Sequence, residues 1–403
     1  YCMKALKEDA RLALEGLPWE YGDAAEMQRL SAKYAGADQG KVIRVFGANF
    51  IGRMSGKVVE AFVAKADLLA ASPAYSDQSG VDWKTAAASA AKVLNHIGGV
   101  DGMDPTGWTW YCNVDDIEKL SPTESPAEIL WRGERAKSLS LEEDNFPPTL
   151  YGNGRINPTQ NLVDAFPMLN GYPVSHLSGE YDENLPYANR DPRLEAYILY
   201  NGCKAGNTNK EIFTAADGTT NDALNKVVGR STRTGYYLRK LLRQDISLDP
   251  NAKADQYHYT PRIRYTEIFL AYAEAANQAY GPQDKGGNGY SAYDVVKKLR
   301  HRAGIGRDNG DAYLESIKND QAKMAELIRN ERRIELCFEG FRFWDLRRWK
   351  SNLTETAKGM NISGTRYTPM EVDKRSFSEY MYYGPIPYSE VLKYDELKQN
   401  QGW

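Results

Sequence analysis

The stretch RNERRIELCFEGFRFWDLRRWK, residues 329–350, decides how this chain is read. Seven basic and four acidic side chains alternate there with Leu336, Phe338, Phe341, Phe343 and Trp344. Wound as a helix, Leu327, Ile328, Ile334 and Phe338 form an apolar stripe. Glu331 falls inside that stripe and Glu335 borders it. Arg332 and Glu335 are spaced as an i,i+3 pair, and Arg342 and Asp345 as another. Glu331 and Glu335 are like charges on one face and need an arginine between them. Gly340 is placed to stop the first helix, after which FRFWDLRRW starts a short second one. A nucleic-acid stripe would leave surplus positive charge pointing outward. Here acids and arginines interleave within an aromatic matrix. The stretch therefore predicts a buried or half-buried ion network that locks a helix to its neighbour, because the planar guanidinium meets carboxylates in two bonds. It does not predict a catalytic centre.

The segments before it carry the same helical rhythm. IRYTEIFLAYAEAANQAYGP reads as a long helix stopped by Gly281 and Pro282, and YSAYDVVKKLRHRAGIG as its partner after a Gly-rich loop. An earlier pair matches it. SGKVVEAFVAKADLLAASP places Val58, Val59, Phe62, Val63, Ala66 and Leu69 at helical spacing, and DWKTAAASAAKVLNHIGG follows with Asp82 as N-cap and Gly98 past its end. Residues 3–15 and about 24–34 read as two further helices. Hairpins of small-residue-rich helices, in units of roughly 34 residues or more, resemble tetratricopeptide repeats. Such hairpins bury their faces only by stacking. The predicted fold is mainly α, with helical hairpins at 1–99 and 255–350 as a scaffold.

Residues 100–254 break the rhythm. They are rich in Gly, Pro, Asn, Asp and Tyr, with short signals only: Asn157–Pro158 and Asp191–Pro192 as helix starts, and AEILWRGE as a strand. This predicts a large irregular insertion held on the scaffold, where function often lies. Residues 351–403 read as a loop-rich end.

Composition bounds the function. A net charge of −3 gives no general field for a nucleic acid or an anionic membrane. No run of apolar residues is long enough to span a bilayer as a helix. The four cysteines (Cys2, Cys112, Cys203, Cys337) form no C-x-x-C, and the four histidines no H-x-x-x-H, so a zinc site lacks its pattern. There is no P-loop, no G-x-S-x-G and no Rossmann glycine pattern. Carboxylate pairs for a glycoside hydrolase could come from Asp101 and Asp104 or from Asp115 and Asp116, but 54 acidic residues supply such pairs by chance. No cofactor is predicted; calcium in GVDGMDP would lack an EF-hand pattern. The chain has 27 Tyr and 8 Trp, flat half-polar rings suited to stacking on sugars or to wet interfaces.

The opening stretch closely resembles the C-terminal signature of the SusD/RagB nutrient-binding proteins of Bacteroidota. Arg329, Glu331, Arg332, Arg333, Glu335, Phe338 and Glu339 carry the resemblance, with Gly340, Arg342, Trp344, Asp345, Arg347 and Trp349. ALKEDARLALEGLPWEYG, GRINPTQNLVDAFPMLNGYPV, YANRDPRLEAYILYNG, GPIPYSEV and LKQNQGW agree with the family in order. The resemblance implies one SusD-like unit and no enzyme. It implies a cell-surface, outer-membrane protein that binds a glycan or a peptide nutrient and delivers it to a SusC-like TonB-dependent transporter. It also implies an N-terminal lipid anchor. The recognisable pattern is already under way at Tyr1, so the lipid-bearing cysteine and a first set of helices are expected outside this sequence.

The aromatic residues of the middle region are the ligand candidates: Trp108, Trp110 and Tyr111 in DPTGWTWYCN, and Tyr181 and Tyr187 in GEYDENLPYANR. In an extended segment Trp108 and Trp110 would share one face. Aromatic platforms would cover sugar faces while polar groups bond the hydroxyl rims.

Overall fold

The computed structural model describes residues 1–34, 38–121 and 123–403. Its centre is helix Tyr265–Tyr280, in which Thr266 through Asn277 are all buried. A helix buried on every side must be surrounded, and its buried Glu267 and Glu274 must find partners there. Helices Gly56–Ala71, Trp83–Asn95, Ala292–Arg302 and Gln321–Glu335 all pack on it. Close approach comes from small residues: Ala86, Ala87, Ala90 and Ala91 on one helix share a core with Ala273, Ala275 and Ala276 on the central one. Ile268, Phe269, Leu270 and Tyr272 fill the remainder, each large apolar side chain contributing about 1.5–3 kcal/mol.

The helix signals are realised in chemistry. Asp82 accepts from the Thr85 amide at 2.8 Å to start Trp83–Asn95, and Gly98 follows at φ 87°. Asp191 caps Pro192–Tyr197 by accepting from the Arg193 amide. Cys2–Gly16 and Ala24–Lys33 are helical as expected.

Among the described residues, no helix between Asn95 and Tyr265 exceeds six residues. This region is nonetheless packed. Trp110, Tyr111, Phe166, Tyr197, Tyr236 and Ile334 form a second core, and Phe146, Leu199, Tyr237, Leu242 and Ile246 a third. Strand Ile129–Ser138 pairs antiparallel with Gln256–Arg264 in a two-stranded ribbon that feeds directly into the central helix.

Four local expectations are corrected. Ile263 and Arg264 belong to the ribbon, so the long helix begins at Tyr265, after the strand pairing ends. Asn157 does not start a helix. Its side chain donates to the Gly154 carbonyl and accepts from the Arg233 amide, and the short helix begins at Gln160. Helix Gln321–Glu335 ends before Gly340, because Phe338 already turns left-handed at φ 65°. Finally, residues 351–403 contain a hairpin, Ala357–Ser363 with Arg366–Asp373, that places Met360 and Ile362 in the second core.

Candidate functional site

The signature stretch forms a buried ion lattice. Arg193 Nη1 donates to Glu331 Oε2 at 2.8 Å and to Glu335 Oε1 at 2.9 Å, while its other nitrogens hold Asp191. Arg193 is the arginine that the Glu331–Glu335 spacing requires. Arg300 joins Glu331 to Asp311 and donates to the Gly171 carbonyl. Arg302 and Arg264 connect Glu335 and Glu128, and Glu339 binds both Arg264 and Lys240. Burial alone would raise the Glu335 carboxyl, but Arg302, Arg193, Arg264 and Lys240 hold it at about 2. Glu331, Glu339 and Asp345 are lowered in the same way, against burial, by their arginine and lysine neighbours.

A second cluster lies alongside. Asp345 bonds Arg332 and Arg348, and Glu274 receives Arg348 and the Trp349 indole. The expected pairs Arg332–Glu335 and Arg342–Asp345 are not formed, because Asp345 folds back onto Arg332 instead. Arg342 has no ion-pair partner among the described residues, and burial lowers it to about 10. Arg333 reaches Glu355 at 4.0 Å, and Arg329 lies over the Trp349 ring. Phe338 packs on the second core. The signature is not buried throughout: Trp344 is 61% exposed, and Arg347 stacks on the exposed Phe343 ring at 3.5 Å.

The lattice pins the irregular chain to the helices at named points. Gly107 presses on it so closely that a Cβ there would meet Glu128 Oε2 at 2.3 Å. Gly171, at φ 94°, meets Asp311 and Arg300 in the same way.

The aromatic candidates do not form one platform. DPTGWTW is a run of turns, so Trp108 and Trp110 do not share an extended face. Trp108 is half-buried, with its carbonyl accepting from Tyr197 Oη. Trp110 and Tyr111 are buried edge to face in the second core. Tyr187 stacks on Tyr200 at 4.2 Å and bonds Tyr236, and burial pushes its hydroxyl up. Tyr181 covers the buried Arg190 guanidinium.

A cleft of about 570 Å³ gathers two of these residues with others that the sequence did not single out. Trp110, Tyr111, Leu241 and Phe341 give it aromatic and apolar wall; Glu134, Ala136, Thr260 and Arg262 come from the ribbon. Arg264 and Glu339 of the lattice reach the same wall. Beneath the surface, Trp110 Nε1, Tyr259 Oη and Glu267 Oε2 have no hydrogen-bond partner among the described residues. Glu267 pairs with Lys65 through Oε1 at 2.7 Å, and burial raises its carboxyl. An apolar pocket with a few polar groups is the usual form of a small-ligand site. The carboxylates proposed for hydrolysis do not line it: Asp104 accepts from Thr106, and Asp116 from Asn113. Among the described residues no group of three or more His, Cys, Asp or Glu is placed to hold a metal, including the GVDGMDP loop, and all four cysteines are free.

Comparison with known proteins agrees with this architecture. The model of the SusD family matches residues 131–403, which include most of the ribbon, the lattice apart from Glu128, and the signature. The chain belongs to the SusD family. It is 33% identical over 85 residues to SusD-like protein P38 and 32% identical over 152 residues to SusD-like protein P2, both of Formosa agariphila. Those segments cover 21% and 37% of this chain, but only 16% and 26% of the two relatives. A crystal structure of a SusD-like protein from Bacteroides fragilis superposes with a TM-score of 0.69 at 25% identity, covering 100% of this chain and 71% of that one. A second B. fragilis structure, described as a SusD-like carbohydrate binding protein, shares the fold at TM-score 0.64 and 22% identity, covering 92% and 70% of the two chains. SusD-family proteins are nutrient-binding proteins of the cell surface and not enzymes.

Proposed function

We propose that the protein is the glycan-binding subunit of a nutrient importer, lipid-anchored at the outer membrane and delivering its ligand to a SusC-like TonB-dependent transporter. Membership of the SusD family carries this reading. The cleft beside the ribbon supports it, since aromatic wall and hydroxyl-bonding rim are what a sugar chain requires. We assign helical segments 1–99 and 255–350 to the scaffold, 100–254 to the ligand-facing region and 351–403 to a closing segment. Binding without chemistry is useful here because coupling to a transporter raises the ligand's effective concentration at the pore entrance. Among the described residues no helix is long and apolar enough to cross a membrane. The lipid anchor is the attachment that the family resemblance implies. Titration calorimetry against panels of oligosaccharides and peptides, with product analysis of the same mixtures, tests the reading. Oligosaccharide binding without cleavage is expected. Binding confined to peptides, or release of shorter sugars, would contradict it.

A further inference from the structure

The ribbon turns one face to the cleft, and its other face carries cations stacked on rings. Arg135 lies opposite Tyr259 and Lys137 opposite Tyr257, so these four side chains share a face. Glu134, Ala136, Ser138, His258 and Thr260 alternate with them and line the cleft, which the buried Tyr259 also reaches. The Arg135 guanidinium carbon lies 3.8 Å from the Tyr257 ring centroid and 5.6 Å from that of Tyr259. Lys137 Nζ lies 5.4 Å from the Tyr257 centroid. Arg132 adds a further guanidinium 5.7 Å from Tyr259, held by Ser125 and the Gly133 carbonyl.

Carboxylates balance this face only in part. Arg135 has no ion-pair partner among the described residues, and Lys137 meets Asp255 in an exposed pair at 3.4 Å. Glu124 comes near Tyr259 from the preceding loop, its carboxylate also accepting from the Ser121 amide, and leaves Arg135 without a direct ion pair. The overall charge of −3 makes this local surplus a property of the ribbon and not of the whole surface. Stacking fixes the plane of a guanidinium and leaves its in-plane N–H groups able to donate. Neighbouring cations repel one another until an anion sits between them.

We propose that Arg135 and Lys137, braced by Tyr257, form a subsite for an anionic sugar unit, one that carries a carboxylate or a sulfate ester. The subsite rests on the reading of the protein as a glycan binder and names the class of glycan. A carboxylate or sulfate takes two parallel bonds from the Arg135 fork while Lys137 adds a point charge.

The test is titration calorimetry at low salt with hexameric galacturonan, a sulfated carrageenan oligosaccharide and neutral cellohexaose, using the whole protein and the variants Arg135→Gln, Lys137→Gln and Tyr257→Leu. One anionic probe is expected to bind about tenfold or more tightly than cellohexaose, with Arg135→Gln removing about tenfold of that affinity. Added salt should weaken the anionic probe alone. Which of the two anionic probes prevails assigns carboxylate or sulfate. Equal affinity for charged and neutral probes, or no loss in the Arg135→Gln, Lys137→Gln double variant, overturns the subsite and leaves the glycan reading standing. Binding of no oligosaccharide, with binding to peptides, overturns both.

Discussion

Arg193 Nη1 lies 2.8 Å from Glu331 Oε2, although 138 residues separate them in sequence. Both side chains are fully buried. Removing either leaves the other uncompensated in a low-dielectric interior, at a cost of about 3–5 kcal/mol. Arg193→Met and Glu331→Ala should each lower the unfolding midpoint by that equivalent. Arg193→Lys should also destabilise, since one ammonium cannot span Asp191 and both glutamates. A denaturant melt that leaves Glu331→Ala unchanged would show that the lattice is hydrated in solution.

The lattice makes acid stability steep. Glu335 is held at about 2, and Glu331, Glu339 and Asp345 are also lowered in the folded protein. In the unfolded chain these groups titrate near 4. Carboxyls lowered by folding contribute stability that is present above their unfolded values and is lost as pH falls through their folded values. Stability should be flat near neutrality, decline below about pH 5 and keep falling towards pH 2. Denaturation midpoints measured across that range check the slope; a midpoint that rises on acidification would contradict it.

The tryptophans should divide by burial and not by position in a motif. Trp110 is 3% exposed, and Trp110→Ala should cost about 3–5 kcal/mol. Trp344 lies in the family signature but is mostly exposed, so Trp344→Ala should stay within about 0.5 kcal/mol. Thermal melts of the two variants compare them directly. Equal losses would mean that Trp344 is covered in solution.

Much of the scaffold was legible because caps and small-residue faces act locally: Asp82, Gly98 and Asp191 do what their sequence context predicts. Helical geometry also showed that Glu331 and Glu335 needed an arginine between them. It could not show which one, since Arg193 arrives from another part of the chain through tertiary folding. The 357–373 hairpin was missed because Gly359 and Pro369 interrupt it, although Met360 and Ile362 flanking Asn361 before Ser363–Gly364 held the signal. The site was legible least. Trp108 and Trp110 alternate in sequence, but their segment is folded into turns closed by Gly107 N–H to Asp104 O, Thr109 N–H to Thr106 O and Cys112 N–H to Thr109 O. The cleft joins Trp110 and Tyr111 to ribbon residues more than 20 positions away, and no local pattern records that meeting.

The central claim is that the cleft beside the ribbon receives a glycan. Ala136 lies on its wall and is exposed, so Ala136→Trp fills the space without disturbing a core. Titration calorimetry of this variant, against an oligosaccharide that the unaltered protein binds, is the most direct test. The account predicts that binding falls at least tenfold while the melting temperature is unchanged, a tenfold loss corresponding to about 1.4 kcal/mol. Full affinity in a normally folded Ala136→Trp protein would contradict it and move the ligand elsewhere.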